Sequence, residues 1–378
     1  MTDVGWRGSL MRMRSLYALA AAVAALALFA PFATRTAEAH AVLVSSNPEN
    51  GAQEQRPPFR IVLNFSEPVE PRLTDITVTD KDGGEVDNGD VEVDPADARI
   101  ASVGVPTLDP GLYTVTFSNV STVDGHPWNG VFQFIILNPD GSVPEGAEFD
   151  PDAVGSSGTG ALPENIDAAL KWISMLALAT AAGAAFFVFA VLRPAASFLE
   201  RRDYDEAAAA GERWVVNATH VLLPVSFIAG SLLLLVSVNR FETPVGLWEY
   251  VTDVQVGRYR GIQLALVAVA LAGADLPFLA SAPRVKQAGL LLLLAASAGA
   301  LLMFSLVSHS AVGGGRYWAT LSDYLHLLAS SAWLGALAML IPLMLWLRRH
   351  FEDDARRYLY LANVFDRFSI VATISVVT

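Results

Sequence analysis

An all-β domain followed by an all-α, multi-span membrane domain is the fold class that this sequence predicts. The chain of 378 residues is 53% hydrophobic and 17% charged, with a mean hydropathy of +0.41, more apolar than a soluble protein of this size. Residues 40 to 137 carry short runs rich in Val, Ile, Thr and Phe, separated by Gly, Pro and Asp clusters. From residue 167 onward come apolar stretches near the ~20 residues that a helix needs to cross a bilayer.

Residues 1–39 carry Arg7, Arg12 and Arg14, then the apolar run SLYALAAAVAALALFA, then Ala37-Glu38-Ala39. That is the order of a secretory signal peptide, with cleavage expected before His40; an uncleaved anchor helix is the alternative. In residues 40–137 the runs RIVLNFS, DITVTD, GLYTVTFSNV and GVFQFIIL read as strands of a sandwich or barrel. Residues 138–166 are Pro, Gly, Ser and acid, the composition of a flexible acidic linker. Spans are expected at 167–192, 214–238, 261–280, 288–308 and 321–347. A truncated sixth is expected from near Phe368, so that 167–378 reads as a membrane domain cut short.

The loops set the orientation. Arg193, Arg201, Arg202 and Arg213 follow the first span, Arg284 and Lys286 the third, and Arg348, Arg349, Arg356 and Arg357 the fifth. Positive-inside logic puts these loops in the cytoplasm and the β domain outside, as the leader does independently. Arg240, Arg258 and Arg260 dissent from an outer loop.

The formal charge is −13, and residues 40–160 hold twenty Asp/Glu against five Lys/Arg. An acidic outer half excludes nucleic acid as a partner. There is no cysteine, hence neither a disulfide nor a thiolate metal site. No nucleotide-binding motif is present, and no enzymatic activity is expected.

Metal chemistry must therefore use His, Asp, Glu, Met or main-chain groups. With the leader removed, His40 offers its α-amine and ring Nδ1 to one metal. Asp124 and His126 are two apart in STVDGHPWNG, on one face of an extended segment, and Gly125 between them lets backbone come close. Three nitrogens and a carboxylate oxygen favour Cu(II) in tetragonal geometry, with zinc as the rival. None of the seven methionines lies in residues 40–137, which excludes a thioether site for Cu(I) there. Alone, D-G-H is also a common turn.

Ionisable residues in spans are costly and by default suggest function. His309 ends the fourth span at the outer face, and His326 lies about 7.5 Å into the fifth from the same face. Asp323 shares a helix face with His326 and is placed to orient its ring. Met303 lies deeper than His309, so hard ligands give way to a softer one. His220 and Asp275, near the cytoplasmic side, are expected to meet as an inner polar pair. The alternative for these histidines is hydrogen bonding between helices. His350 reads as a plain interface residue.

The segments HAVLVSSNPENG, VLNFSEPVE and STVDGHPWNGVFQF resemble the CopC family of secreted copper-binding proteins. The resemblance implies a small Greek-key β-sandwich that binds Cu(II) through His40, Asp124 and His126, with Glu67 as an added carboxylate in some members. SHSAVGGGRYWATLSDYLHLLASSAWLGAL resembles the CopD family of copper-associated membrane proteins, through Asp323, Leu325-His326 and Trp333-Leu334-Gly335. Together they imply a CopC–CopD fusion in a prokaryotic inner membrane, with its β domain extracytoplasmic. Such a protein would capture Cu(II) outside and move copper inward, as Cu(I) in the membrane domain if reduction intervenes. Its partners would be copper ions, the lipid bilayer and a copper chaperone or reductase. A membrane-tethered copper buffer is the runner-up. Haem held by His309 and His326 is a third reading.

Overall fold

The computed structural model describes residues 41–123, 125–150, 155–157, 164–238, 245–279, 282–308, 316–351 and 353–377. The leader, His40, Asp124 and His309 thus lie outside the described residues, as does Arg240.

The first domain is a β-sandwich. One sheet has the order β1 (Leu43–Asn47), β3 (Arg60–Phe65), β6 (Ile100–Gly104), β5 (Glu92–Val93). The other has the order β2 (Gln53–Glu54), β8 (Pro127–Ile136), β7 (Gly111–Val120), β4 (Asp75–Asp80). Successive strands cross between the sheets repeatedly instead of meandering within one. Alternation explains the core: in β3, Ile61, Leu63 and Phe65 are buried while Val62 and Asn64 are half-buried. They meet Val115 and Phe117 of β7 and Phe132 and Phe134 of β8, with the Phe65 and Phe117 rings 5.6 Å apart.

Part of the stretch with linker composition is ordered onto this domain. Gly155–Ser157 form β9, antiparallel to Asn129–Val131 of β8, and Ala147 is buried. The free edge of β8 offers unpaired backbone groups that such a strand satisfies.

The helical domain comprises α1 (Glu164–Phe187), α2 (Arg201–Val238), α3 (Leu247–Asp253), α4 (Gln255–Leu279), α5 (Pro283–Leu306), α6 (Arg316–His350) and α7 (Asp354–Val377). Helix α1 continues through a π-helical turn, Val188–Leu192, and a last α turn, Arg193–Ala195. Among the described residues five helices are long and apolar enough to cross a membrane: Ile166–Ala195, Arg201–Val238, Gln255–Leu276, Arg284–Leu306 and Tyr317–His350. Arg258 and Arg260 therefore belong to α4 and not to a loop before it. Helix α7 begins well before Phe368, where Asp353 Oδ1 accepts the Ala355 N–H at 2.9 Å and caps it.

The sandwich packs against the ends of α2, α3 and α4. Leu73 and Val120 join Leu234, Tyr250 and Val254 in one buried cluster. Beside it, Arg72 pairs with Asp253 and, at 3.1 Å, with Glu249. Glu70, 7% exposed, accepts the Gln255 N–H at 3.2 Å. Burial pushes the Glu70 carboxyl pKa up, against the opposing pull of that hydrogen bond and of Arg258 and Arg72.

Candidate metal centre

The loop Ser121–His126 joins β7 to β8, and Ser121 ties it together. Its N–H donates to the His126 carbonyl at 3.1 Å, its carbonyl accepts the Gly125 N–H at 3.0 Å, and its Oγ accepts the Val123 N–H at 3.1 Å. The same hydroxyl donates to Glu67 Oε2 at 2.7 Å. Glu67 is thus brought against the D-G-H loop. The chain just after His40 is fastened nearby. Ala41 is fully buried, its carbonyl accepting from Asn119 Nδ2 at 3.2 Å, and Val42 exchanges hydrogen bonds with Ser66 at 2.9 and 3.1 Å. Three separated segments, around Ala41, Ser66-Glu67 and the stretch from Asn119 to His126, converge at one end of the sandwich.

Gly125 has φ +76°, a conformation that other residues rarely adopt, and a β-carbon there would stand 3.2 Å from Val256 Cγ1 of α4. The glycine therefore sets the loop directly on the helical domain. His126, its side chain 27% exposed, turns toward α1, and its Nε2 lies 3.5 Å from Oδ2 of Asp167. Asp167 is 5% exposed by side chain. Sequence reasoning missed it, although an acid at the very start of an apolar span was a visible signal.

Within the helical domain the positions singled out fall at both ends. Asp323 in α6 accepts from Ser308 Oγ at 3.4 Å, which links α6 to the end of α5. His326 is exposed and Met303 half-buried. The hydrogen bond from Ser308 is the described interaction of Asp323. Toward the far end, His220 of α2 and Asp275 of α4 do meet, Nε2 to Oδ1 at 2.6 Å, while His220 Nδ1 donates to the Val216 carbonyl at 2.7 Å. Asp275 is twenty residues along α4 from Gln255, about 30 Å at helical rise, the thickness of a bilayer core.

Between the two ends lies a buried polar seam that the sequence did not disclose. Ser174 Oγ donates to the Ser226 carbonyl at 3.0 Å and accepts from Gln263 Nε2 at 3.4 Å, and Arg260 bonds Ser237. His350 lies beside Glu206 at 3.4 Å and Asp203 at 3.7 Å and stacks on Trp346. Among the described residues no three His, Asp or Glu side chains gather as a metal-binding group.

Residues 43–136 match the CopC domain family. This CopC domain is followed by a helical region that fits a CopD-like domain. Over 340 residues the chain is 26% identical to the copper transport protein CutJ of Bacillus subtilis (strain 168), covering 84% of this chain. The chain spans 56% of the length of that relative. Among solved structures, CopC from Methylosinus trichosporium OB3b is similar at 26% identity, covering 29% of this chain and 100% of that one, with a TM-score of 0.25. PcoC, a methionine-rich copper resistance protein from Escherichia coli, is similar at 30% identity, covering 26% and 99% of the two chains, with a TM-score of 0.23.

Proposed function

We propose that the chain captures Cu(II) on its CopC domain and moves copper across the membrane that its apolar helices span. In this reading the leader is removed before His40, whose new amine and ring join Asp124 and His126 as ligands, with Glu67 alongside. An imidazole, amine and carboxylate set suits Cu(II). The CopC domain faces the extracytoplasmic side of a prokaryotic cell membrane. Copper passes from there through the helical domain, where His309, His326, Asp323 and Met303 serve the outer half and His220 with Asp275 the inner.

One observation carries the reading: the His126 loop is seated on the helical domain, with Gly125 against Val256 and His126 toward Asp167. A site so seated delivers its ion where a path across the bundle begins. The match to the CopC domain family and the likeness to a copper transport protein support the choice of metal and of cargo.

The test is cellular copper accumulation with wild type, His40→Ala and His326→Ala. Transport predicts a severalfold loss in both variants. If His326→Ala leaves accumulation unchanged while His40→Ala abolishes copper binding, the chain is instead a tethered copper buffer or chaperone.

A further inference from the structure

We propose that Asn119 is a positioning residue for the copper site, holding the start of the mature chain so that its α-amine reaches the metal; this rests on the copper-capture reading above. Tyr113, Val115, Phe117 and Asn119 alternate along β7 on the side that faces the sandwich core, and Asn119 is fully buried there. A polar side chain on an apolar strand face is costly unless its hydrogen bonds are made. One of them is, from Nδ2 to the Ala41 carbonyl at 3.2 Å. Because a carbonyl accepts only from an N–H, that bond also fixes which end of the amide is Oδ1. Oδ1 is buried and meets no donor among the described residues.

The donor that suits Oδ1 is the amine that removal of the leader would free on His40. Asn119 already grips Ala41, the next residue along, and the two ends of one amide address neighbouring points of the same chain. An amine that gives its lone pair to a metal keeps two N–H bonds, and one of them satisfies Oδ1. Before cleavage the same nitrogen belongs to a peptide group, which does not ligate while it keeps its proton. An acceptor behind a ligand's N–H fixes the ligand's orientation and raises its basicity, as a carboxylate or carbonyl does behind a metal-bound imidazole.

The rest of the arm is fastened to match. Ala41 is fully buried and Val42 exchanges hydrogen bonds with Ser66, so the chain is anchored within two residues of that amine. Ser121, two residues beyond Asn119 and equally buried, does for the D-G-H loop what Asn119 does for the arm, through Glu67 and the Val123 N–H. The end of β7 thus carries two polar side chains, each holding one half of the proposed donor set. Ligands ordered in this way by the fold lose little freedom when the ion arrives, which favours tight binding.

The experiment is Cu(II) titration of the purified full-length protein, its terminus at His40 verified by mass spectrometry, with electron paramagnetic resonance at saturation. Wild type and Asn119→Ala are compared in that chain and in one extended by a single alanine before His40, which removes the amine. Thermal unfolding of each apo variant checks the fold, and Asn119→Leu, close to asparagine in shape, takes the place of Asn119→Ala should the latter fail to fold. In the chain that begins at His40, the substitution is expected to weaken Cu(II) binding at least about tenfold and to change the copper hyperfine pattern. In the extended chain, itself weaker, the same substitution is expected to change affinity by no more than about twofold, because the group it acts through is gone. An equal loss in both chains, or an unchanged affinity and spectrum in the first, makes Asn119 a brace of the sheet beside its cross-strand neighbour Trp128 and overturns the proposal while the copper site stands. If wild type takes up no Cu(II), or neither the extension nor His126→Ala weakens its binding, both readings fall together.

Discussion

His220 of α2 and Asp275 of α4 meet through Nε2 and Oδ1 at 2.6 Å, one bilayer thickness from the helix ends on which the CopC domain sits. The pair lies at the far end of the spans, its side chains 39% and 46% exposed. If it serves copper on its way out of the bundle, Asp275→Asn, which keeps shape and hydrogen bonding, lowers cellular copper accumulation severalfold at unchanged membrane abundance. Unchanged accumulation with a lowered melting temperature would make the pair a helix–helix fastening.

Gly335, in the Trp-Leu-Gly element, approaches Gly183 so closely that a β-carbon on it would stand 2.0 Å from the Gly183 carbonyl carbon. The contact joins α6 to α1 by backbone, and neither side has a flexible atom to yield. Gly335→Ala is expected to destabilise the helical domain by about 1–3 kcal/mol or more. Gly246→Ala, where nothing lies within 4 Å, is the control and should fall within about 0.5 kcal/mol of wild type. Thermal unfolding in detergent checks both.

Docking of the CopC domain rests on apolar burial more than on its ion pairs. Arg72 is half-exposed, as are Glu249 and Asp253, so Arg72→Ala should cost under about 1 kcal/mol. Tyr250 is fully buried in the shared cluster, and Tyr250→Ala should cost about 3–5 kcal/mol, the range for a large buried ring. Hydrogen exchange along β7 and α3 in the two variants reads the difference.

Glu70 makes that contact pH-dependent. Its pKa is raised in the folded state, chiefly by burial, so folding binds the proton more tightly than the unfolded chain does. The associated stability is fully present below the unfolded value near 4.5 and is lost as pH rises through the raised folded value. Glu70→Gln keeps an oxygen for the Gln255 N–H and removes the charge. Its melting temperature should exceed wild type at neutral pH and converge on it in acid. The opposite ordering would mean that Arg72 and Arg258 outweigh desolvation.

Much of this was legible in the sequence, for physical reasons that also mark where legibility stopped. Five bilayer-length apolar runs became five helices because a backbone in hydrocarbon has few other ways to satisfy its polar groups. The alternation in RIVLNF became β3 because one face had to be buried. The meeting of His220 and Asp275 was foreseeable, since adjacent antiparallel spans put them at equal depth. Asp167 was not, because its partner is a loop of the other domain. Arg260 looked like a loop residue, yet it is buried in α4 where Ser237 accepts from it. Likewise β9 arises from an unpaired edge of β8, a vacancy that local composition does not announce.

The most direct test of the account is copper uptake into sealed proteoliposomes that contain the purified full-length protein as their sole protein. Cu(II) is supplied outside, with a reductant in one arm, and lumenal copper is measured after external chelation. Copper should accumulate in the lumen with wild type and fall to the level of empty vesicles with His126→Ala. Wild-type vesicles that bind copper at the outer site and yet keep an empty lumen in both arms would contradict it.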